Sequence, residues 1–119
     1  MNKHKLFVYG TLKRGCSRHH VMQKYNAIYL GETITTEKFA LIKIGDYPGV
    51  IKKSRYQIHG ELYCISDSLL ARLDIIEGVP YLYKREKVAL ASEEEAILYF
   101  YVGVYSNSDI LDTGYWNCP

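Results

Sequence analysis

The apolar run from Ala96 to Val102 limits the possible folds of this chain more than any other segment. Its residues are apolar or tyrosine throughout, so a strand in this place has two hydrophobic faces. Such a strand lies in the middle of a sheet or in a closed sheet, because a face exposed to water requires alternating polar residues. The run therefore predicts a sheet that is covered on both sides or that curls back on itself.

Much of the remaining chain also has the pattern of strands. Segments rich in β-branched and aromatic residues predict strands at 5–9, 27–30, 33–44, 50–53, 56–65, 83–90 and 95–102. Turns are predicted at 45–49 and 92–94, and a short helix or helical turn at 17–25. Residues 103–119 are predicted to be a tail that Trp116 anchors to the sheet.

One main helix is predicted at 66–76, with Ser66 or Asp67 as its N-cap and Gly78 as its C-terminal cap. The length of 119 residues suits one domain, residues 1–119. We therefore predict an α+β protein, a small curved or closed, mostly antiparallel β-barrel with one main helix and short helical turns.

Composition excludes several classes of function. The net charge of +2 is too small, and the basic residues too scattered, to predict binding to nucleic acid or to an acidic membrane surface. No run approaches the roughly 18 apolar residues of a membrane span. The first five residues lead into a strand and not into the core of a signal peptide.

The cysteines predict neither a disulfide scaffold nor a zinc site. There are three, Cys16, Cys64 and Cys118, so their number is odd, their spacings are wide and no CxxC pair occurs. We therefore expect a cytoplasmic location and no metal. A thiol nucleophile at Cys16, beside His19, has no evident carboxylate to orient the histidine and is the weaker reading.

The segment from Leu6 to Gly15 carries the first functional signal. An apolar strand runs into a loop with glycine at both ends, Gly10 and Gly15. Because glycine permits unusual backbone angles and close approach, such a loop can aim several N–H groups at an anion or a developing oxyanion. The alternative is a plain β-turn with a basic tip.

Glu77 carries the second signal. It follows Leu70 by seven residues and Leu73 by four, which places it on the apolar side of the helix. A carboxylate on that side loses hydration, its pKa rises, and it becomes a suitable general base near neutral pH. The helix dipole also disfavours an acid in the last turn, so stability alone would not select it. The alternative is that the helix frays at Ile76 and Glu77 turns to solvent.

Taken together, these motifs resemble the γ-glutamylcyclotransferase superfamily, most of all its γ-glutamylamine cyclotransferase-like branch. The shared segments, in the family's order, are VYGTLKRG at 8–15, YPG at 47–49, GELY at 60–63, LDxxEG at 73–78 and YxR at 83–85. The combination of YGTLKRG and LDxxEG at this separation is specific, although YGTL alone is weak. Arg18 departs from the pattern, since relatives often have asparagine there.

The resemblance implies a γ-glutamylcyclotransferase-like fold and a reaction without a cofactor. The substrate's α-amine attacks its own γ-carbonyl, which releases 5-oxoproline and an amine or amino acid, a cyclisation of the amine-lyase or acyltransferase type. It implies Glu77 as the catalytic acid/base and a cavity for a small γ-glutamyl substrate, with these substrate-binding residues: Tyr9, Gly10, Thr11, Leu12, Tyr47 and Tyr83.

Two other functions stay open from the sequence. The same fold can serve as a binding module that holds a small carboxylated metabolite without converting it. It can also remove a γ-glutamyl protecting group from a larger product. The sequence does not predict the leaving group or the oligomeric state.

Overall fold

The computed structural model describes residues 2–118, which form five strands, two α-helices and one 3-10 helix. In chain order these elements are β1 (Asn2–Val8), α1 (His19–Lys24), β2 (Ile28–Ile44), β3 (Tyr47–Ser66), α2 (Asp67–Ile76), β4 (Tyr83–Ala89), β5 (Glu95–Tyr101) and the 3-10 helix Asn107–Asp109. The strands form one sheet in the order β2-β3-β1-β5-β4. Every described helix is too short or too polar to cross a membrane.

The sheet curls around strand β5, as the apolar run predicts. β5 pairs with β4 in antiparallel register, and with both β1 and β3 in parallel register. The β3–β5 contact joins Val50 to Phe100, and an isolated bridge joins Thr35 to Leu90. These contacts close the sheet into a curled half-barrel, which confirms the predicted α+β class with a mostly antiparallel sheet.

The hydrophobic core lies on both faces of this sheet. Successive residues of β5 alternate between two buried clusters, so that Leu98 and Phe100 belong to one cluster while Tyr99 and Tyr101 belong to the other. The second cluster also contains the leucines of helix α2. Burial on both faces explains why β5 carries no charged residue after Glu95.

Strands β2 and β3 are longer than the sequence predicts. Segments 27–30 and 33–44 belong to one strand, and so do 50–53 and 56–65. The register of the β2–β3 pair shifts at three places, which lets long strands bend without ending. The predicted turn at 45–49 shrinks to Gly45 and Asp46, because the next three residues already pair as strand β3.

Helix α2 begins and ends where the sequence predicts. The Ser66 hydroxyl accepts a hydrogen bond from the Leu69 N–H at 3.2 Å, so Ser66 is the N-cap. Leu69, Leu70 and Leu73 are buried on the apolar side. Gly78 has a φ of +67°, and the two hydrogen bonds that follow the helix complete a Schellman motif.

The prediction that the cysteines form no disulfide scaffold is wrong, because Cys16 and Cys118 form a disulfide. Their Cα atoms lie 5.6 Å apart although 102 residues separate them in sequence. The C-terminal segment (residues 102–118) returns across β3, where the His59 N–H donates to the Gly114 carbonyl at 2.9 Å. The spacing of the cysteines in the sequence does not show that the C-terminal segment comes back to the β1–α1 loop. The bond also removes the thiol-nucleophile reading of Cys16 and the cysteine argument for the cytoplasm, where lasting disulfides are rare.

Candidate active site

A cavity of about 170 Å³ opens between the loop after β1, the β2–β3 turn and the C-terminal end of α2. It brings together all seven residues that the sequence analysis selected: Tyr9, Gly10, Thr11, Leu12, Tyr47, Glu77 and Tyr83. The other lining residues are Phe7, Val8, Arg18, Ile44, Pro48, Ile76, Leu82, Tyr99 and Tyr101. Apart from Glu77 and Arg18, this lining is uncharged.

Glu77 lies at the end of α2 and its side chain lines the cavity. Its N–H still donates to the Leu73 carbonyl at 2.8 Å, so the last turn is intact up to this residue. The φ of +67° at Gly78 turns the chain away only after Glu77. Burial raises the pKa of the Glu77 carboxyl, and the positive charge of Arg18 opposes part of that rise. The alternative that the helix frays at Ile76 and Glu77 turns to solvent therefore does not describe this helix.

The β1–α1 loop (residues 9–18) offers main-chain donors to the same cavity. The loop turns back on itself, because the Lys13 N–H donates to the Gly10 carbonyl at 3.1 Å and the Arg18 N–H to the Thr11 carbonyl at 2.9 Å. Within residues 2–118, the N–H groups of Gly10, Thr11 and Leu12 donate to no other group. Three successive amides without an internal partner thus belong to residues that line the cavity.

Close packing at Gly10, the backbone angle of Gly15 and a contact of His19 fix the path of the loop. Gly10 packs so closely against the β2–β3 hairpin that a Cβ atom there would overlap the Pro48 ring. Gly15 has a φ of +80° in open space, so it is required for backbone angle and not for packing. His19 is partly buried, and its Nδ1 lies 2.9 Å from the Leu12 carbonyl oxygen.

A side chain from β3 and a main-chain carbonyl from the C-terminal segment hold the loop in place. Glu61 is buried and accepts from the Arg14 N–H at 3.0 Å and from the Tyr63 hydroxyl at 2.9 Å. Lys13 is only 5% exposed and donates to the Trp116 carbonyl at 2.7 Å. A simple turn with a basic tip would leave Lys13 in water, so that alternative does not describe this loop.

Four cavity tyrosines serve mainly to hold the cavity together. Their hydroxyls donate as follows: Tyr9 to the Tyr99 carbonyl at 2.7 Å, Tyr83 to the Pro48 carbonyl at 2.7 Å, Tyr99 to Asp74 Oδ1 at 2.7 Å, and Tyr101 to the Val104 carbonyl at 2.8 Å. Burial raises the pKa of Tyr9, Tyr83 and Tyr99, and the nearby Glu77 carboxylate raises it further. These phenols therefore stay protonated at neutral pH and do not compete with Glu77 as a base.

Sequence reasoning missed Tyr99 and Tyr101 as cavity residues. The signal was present, since residues two apart in a strand share a face and Tyr101 pairs with Tyr83. Arg18 was noticed only as a departure from a family pattern. Its position at the cavity depends on how the β1–α1 loop folds, which a local sequence pattern does not report. No cluster of three metal-binding side chains occurs in the part of the chain that the structure describes.

Comparisons with known proteins identify the family of the chain. The model of the family described as gamma-glutamyl cyclotransferase, AIG2-like, matches residues 6–118. A Vibrio cholerae protein provisionally named gamma-glutamylcyclotransferase is 35% identical over 114 residues, which is 96% of this chain and 96% of that protein. The gamma-glutamylaminecyclotransferase of Rattus norvegicus is 35% identical over 91 residues, 67% of this chain and 58% of that protein.

The fold has a close counterpart among solved structures. The crystal structure of an AIG2-like protein from Mus musculus matches with a TM-score of 0.87, covering 98% of this chain and 90% of that chain. The two sequences are 24% identical, so this likeness concerns the fold. With the family match over residues 6–118, it leads to one conclusion: the chain belongs to the AIG2-like gamma-glutamyl cyclotransferase family.

Proposed function

We propose that this protein is a γ-glutamyl cyclotransferase that converts a γ-glutamyl amine or γ-glutamyl amino acid to 5-oxoproline. The observation that carries the proposal is the presence of Glu77 and the amides of residues 10–12 in one cavity. A carboxylate with a raised pKa and a set of hydrogen-bond donors are the two groups that this cyclisation requires.

Glu77 is proposed to move the protons of the reaction. The substrate's α-amine is an ammonium at neutral pH, and it becomes a nucleophile only after losing a proton to a base. Its nitrogen then attacks the γ-carbonyl carbon, and the bond from that carbon to the leaving nitrogen breaks. The attacking nitrogen loses two protons on becoming a lactam N–H, and the leaving nitrogen gains two on becoming an ammonium. Glu77 can carry these protons from one nitrogen to the other, so no net proton is consumed.

The β1–α1 loop is proposed to bind the glutamyl half of the substrate. The γ-carbonyl oxygen becomes negative as the ring closes, and a preorganised N–H donor at such an oxygen commonly contributes about 3 kcal/mol. The substrate's α-carboxylate is a second acceptor for the amides of Gly10, Thr11 and Leu12. Tyr9, Tyr47 and Tyr83 supply walls that hold the substrate folded, which favours ring closure by orientation.

The test is to incubate the protein with a panel of γ-glutamyl amines and γ-glutamyl dipeptides and to measure 5-oxoproline by chromatography. Glu77→Gln keeps the shape of the side chain and removes its basicity, so we expect kcat to fall by about 10²- to 10⁴-fold. Glu37→Gln is a matched control, because Glu37 is exposed in strand β2, outside the cavity.

Three outcomes would contradict all or part of the proposal. A folded Glu77→Gln variant with turnover near that of the wild type would remove Glu77 from the mechanism. Failure of the wild type to release 5-oxoproline from any member of the panel, together with measurable binding, would favour the non-catalytic module for small carboxylated metabolites. Release only from a larger γ-glutamyl product would favour removal of a protecting group.

A further inference from the structure

Arg18 is a cation at the cavity that forms no ion pair with the described residues 2–118. Its side chain lines the cavity, and the guanidinium carbon lies 4.5 Å from the centre of the Tyr47 ring. Within residues 2–118, no carboxylate oxygen lies within 4.0 Å of its nitrogen atoms. By contrast, Arg14 pairs with Glu61 at 3.4 Å and Arg85 with Asp74 at 3.6 Å.

The backbone holds Arg18 in a fixed place. Its N–H donates to the Thr11 carbonyl at 2.9 Å, and its carbonyl accepts from the Val21 N–H at 3.1 Å at the start of helix α1. The aromatic ring of Tyr47 supports the guanidinium from one side. A planar, permanently charged group held in this way is suited to binding a carboxylate with two hydrogen bonds.

The guanidinium of Arg18 contacts the Tyr47 side of the cavity, whereas the amides proposed to bind the glutamyl half belong to the loop backbone. The amides of residues 10–12 belong to the start of the loop, next to buried strand β1. The loop brings the Arg18 backbone back beside Thr11, and the partly exposed Arg18 side chain packs against Tyr47, which is 44% exposed at the start of β3. In the proposed substrate orientation, the reacting carbonyl lies at these amides and the leaving half lies toward the Arg18 guanidinium, since both groups line one cavity.

We infer that Arg18 binds the carboxylate of the leaving group, so that the preferred substrates are γ-glutamyl α-amino acids and not γ-glutamylamines that lack a carboxylate. This inference rests on the proposed function. In a γ-glutamyl dipeptide the carboxylate is only two bonds from the leaving nitrogen, which suits a cation close enough to Glu77 to affect its ionisation. The same cavity is lined by Ile44 and Leu82, which favours an apolar side chain on that amino acid.

A matched pair of substrates tests this inference. γ-Glutamyl-leucine and γ-glutamyl-3-methylbutylamide differ only by the leucine carboxylate. We expect the wild type to prefer the dipeptide in kcat/KM by about 10- to 100-fold, since a charge-assisted hydrogen bond to a carboxylate has this worth. Arg18→Gln is expected to abolish most of that preference, and Arg18→Lys to keep part of it because the charge remains.

Arg55→Gln is the matched control, because it removes the same charge from an exposed position on β3 outside the cavity. It is expected to keep the wild-type preference. Equal losses for both substrates in Arg18→Gln would overturn the inference, since they would place Arg18 at the glutamyl half. So would a wild type that prefers the amide. A cooperative thermal unfolding transition first shows that each variant is folded, and only folded variants are compared in kcat/KM.

A binding measurement separates this inference from the proposed function. Calorimetry of both ligands with Glu77→Gln, and with Glu77→Gln combined with Arg18→Gln, reports affinity without turnover. If Glu77→Gln binds the dipeptide more tightly than the amide, and the double variant does not, the inference about Arg18 is supported. Failure of the wild type to release 5-oxoproline would then contradict only the proposed function. Equal affinity for both ligands overturns the inference whether or not the protein is an enzyme.

Discussion

At the scale of single residues, the cavity depends on two opposite charges that do not neutralise each other. Glu77 is the one acidic side chain that can carry a negative charge, and Arg18 is the one positively charged side chain, among the described residues that line the cavity. They are not within ion-pair distance. A direct pair would lower the pKa of Glu77 and make it a poor base, whereas burial with a more distant cation leaves that pKa raised. Each charge is therefore available to a bound molecule.

The raised pKa of Glu77 predicts a pH-dependent effect on stability. The folded protein holds the Glu77 proton more tightly than the unfolded chain, whose glutamates have a pKa of about 4.3. This contribution to stability is fully present below the unfolded pKa and is lost as pH rises through the folded pKa. Glu77→Gln stays neutral, so we expect a higher Tm than that of the wild type at pH 7 and a smaller difference near pH 4. Thermal unfolding followed by circular dichroism measures both.

The surface variant Glu37→Gln provides the comparison for this prediction. Glu37 is exposed, and surface substitutions usually change stability by less than about 0.5 kcal/mol. Its Tm should match the wild type at both pH values. A Glu77→Gln variant that is less stable than the wild type at pH 7 would show that the carboxylate is well solvated or paired in the folded protein.

At the scale of elements, the site depends on the fit between the β1–α1 loop and the β2–β3 hairpin. Pro48 is buried, and its carbonyl accepts the Tyr83 hydroxyl, so its ring cannot move aside easily. In Gly10→Ala the new Cβ would overlap that ring. We expect a loss of about 1–3 kcal/mol in the free energy of unfolding from overpacking. A loop displaced by about 1 Å also predicts a fall of up to about 10²-fold in kcat/KM.

Two further variants separate the clash from other effects at the loop. Gly15→Ala strains the backbone in open space, so it should reduce stability with less effect on turnover. Pro48→Ala in the Gly10→Ala background removes the ring that the new Cβ meets, and it should restore part of the lost stability. If Gly10→Ala retains full stability and activity, the loop and the hairpin are not held together at this point.

At the scale of the whole molecule, local sequence patterns predicted the helices and strands. They did not predict the contacts between residues that are far apart in the sequence. The side of α2 that carries Glu77 follows from helical spacing, and the helix ends from Ser66 and Gly78. The continuity of β2 and β3 was missed because their register shifts interrupt the alternation. The position of Arg18 and the Cys16–Cys118 bond depend on where the chain returns after many residues. Roles assigned to the cavity residues stay predictions until turnover is measured.

The disulfide joins the β1–α1 loop to the far end of the described chain, so its effect belongs to the whole fold. Closing a loop of about 100 residues restricts the unfolded chain and is expected to add about 2–5 kcal/mol to stability. Cys16→Ser, Cys118→Ser and the double variant should therefore show one common, lowered Tm, and a reducing agent should lower only the wild type to that value. Cys64→Ser is the control, because Cys64 is a free, partly buried thiol and its variant should still respond to reduction.

Alkylation of all three cysteines in the unreduced wild type would show that the bond does not form. Lys13 and Trp116 would then hold the loop to the C-terminal segment without it, because their hydrogen bond does not depend on the sulfur atoms.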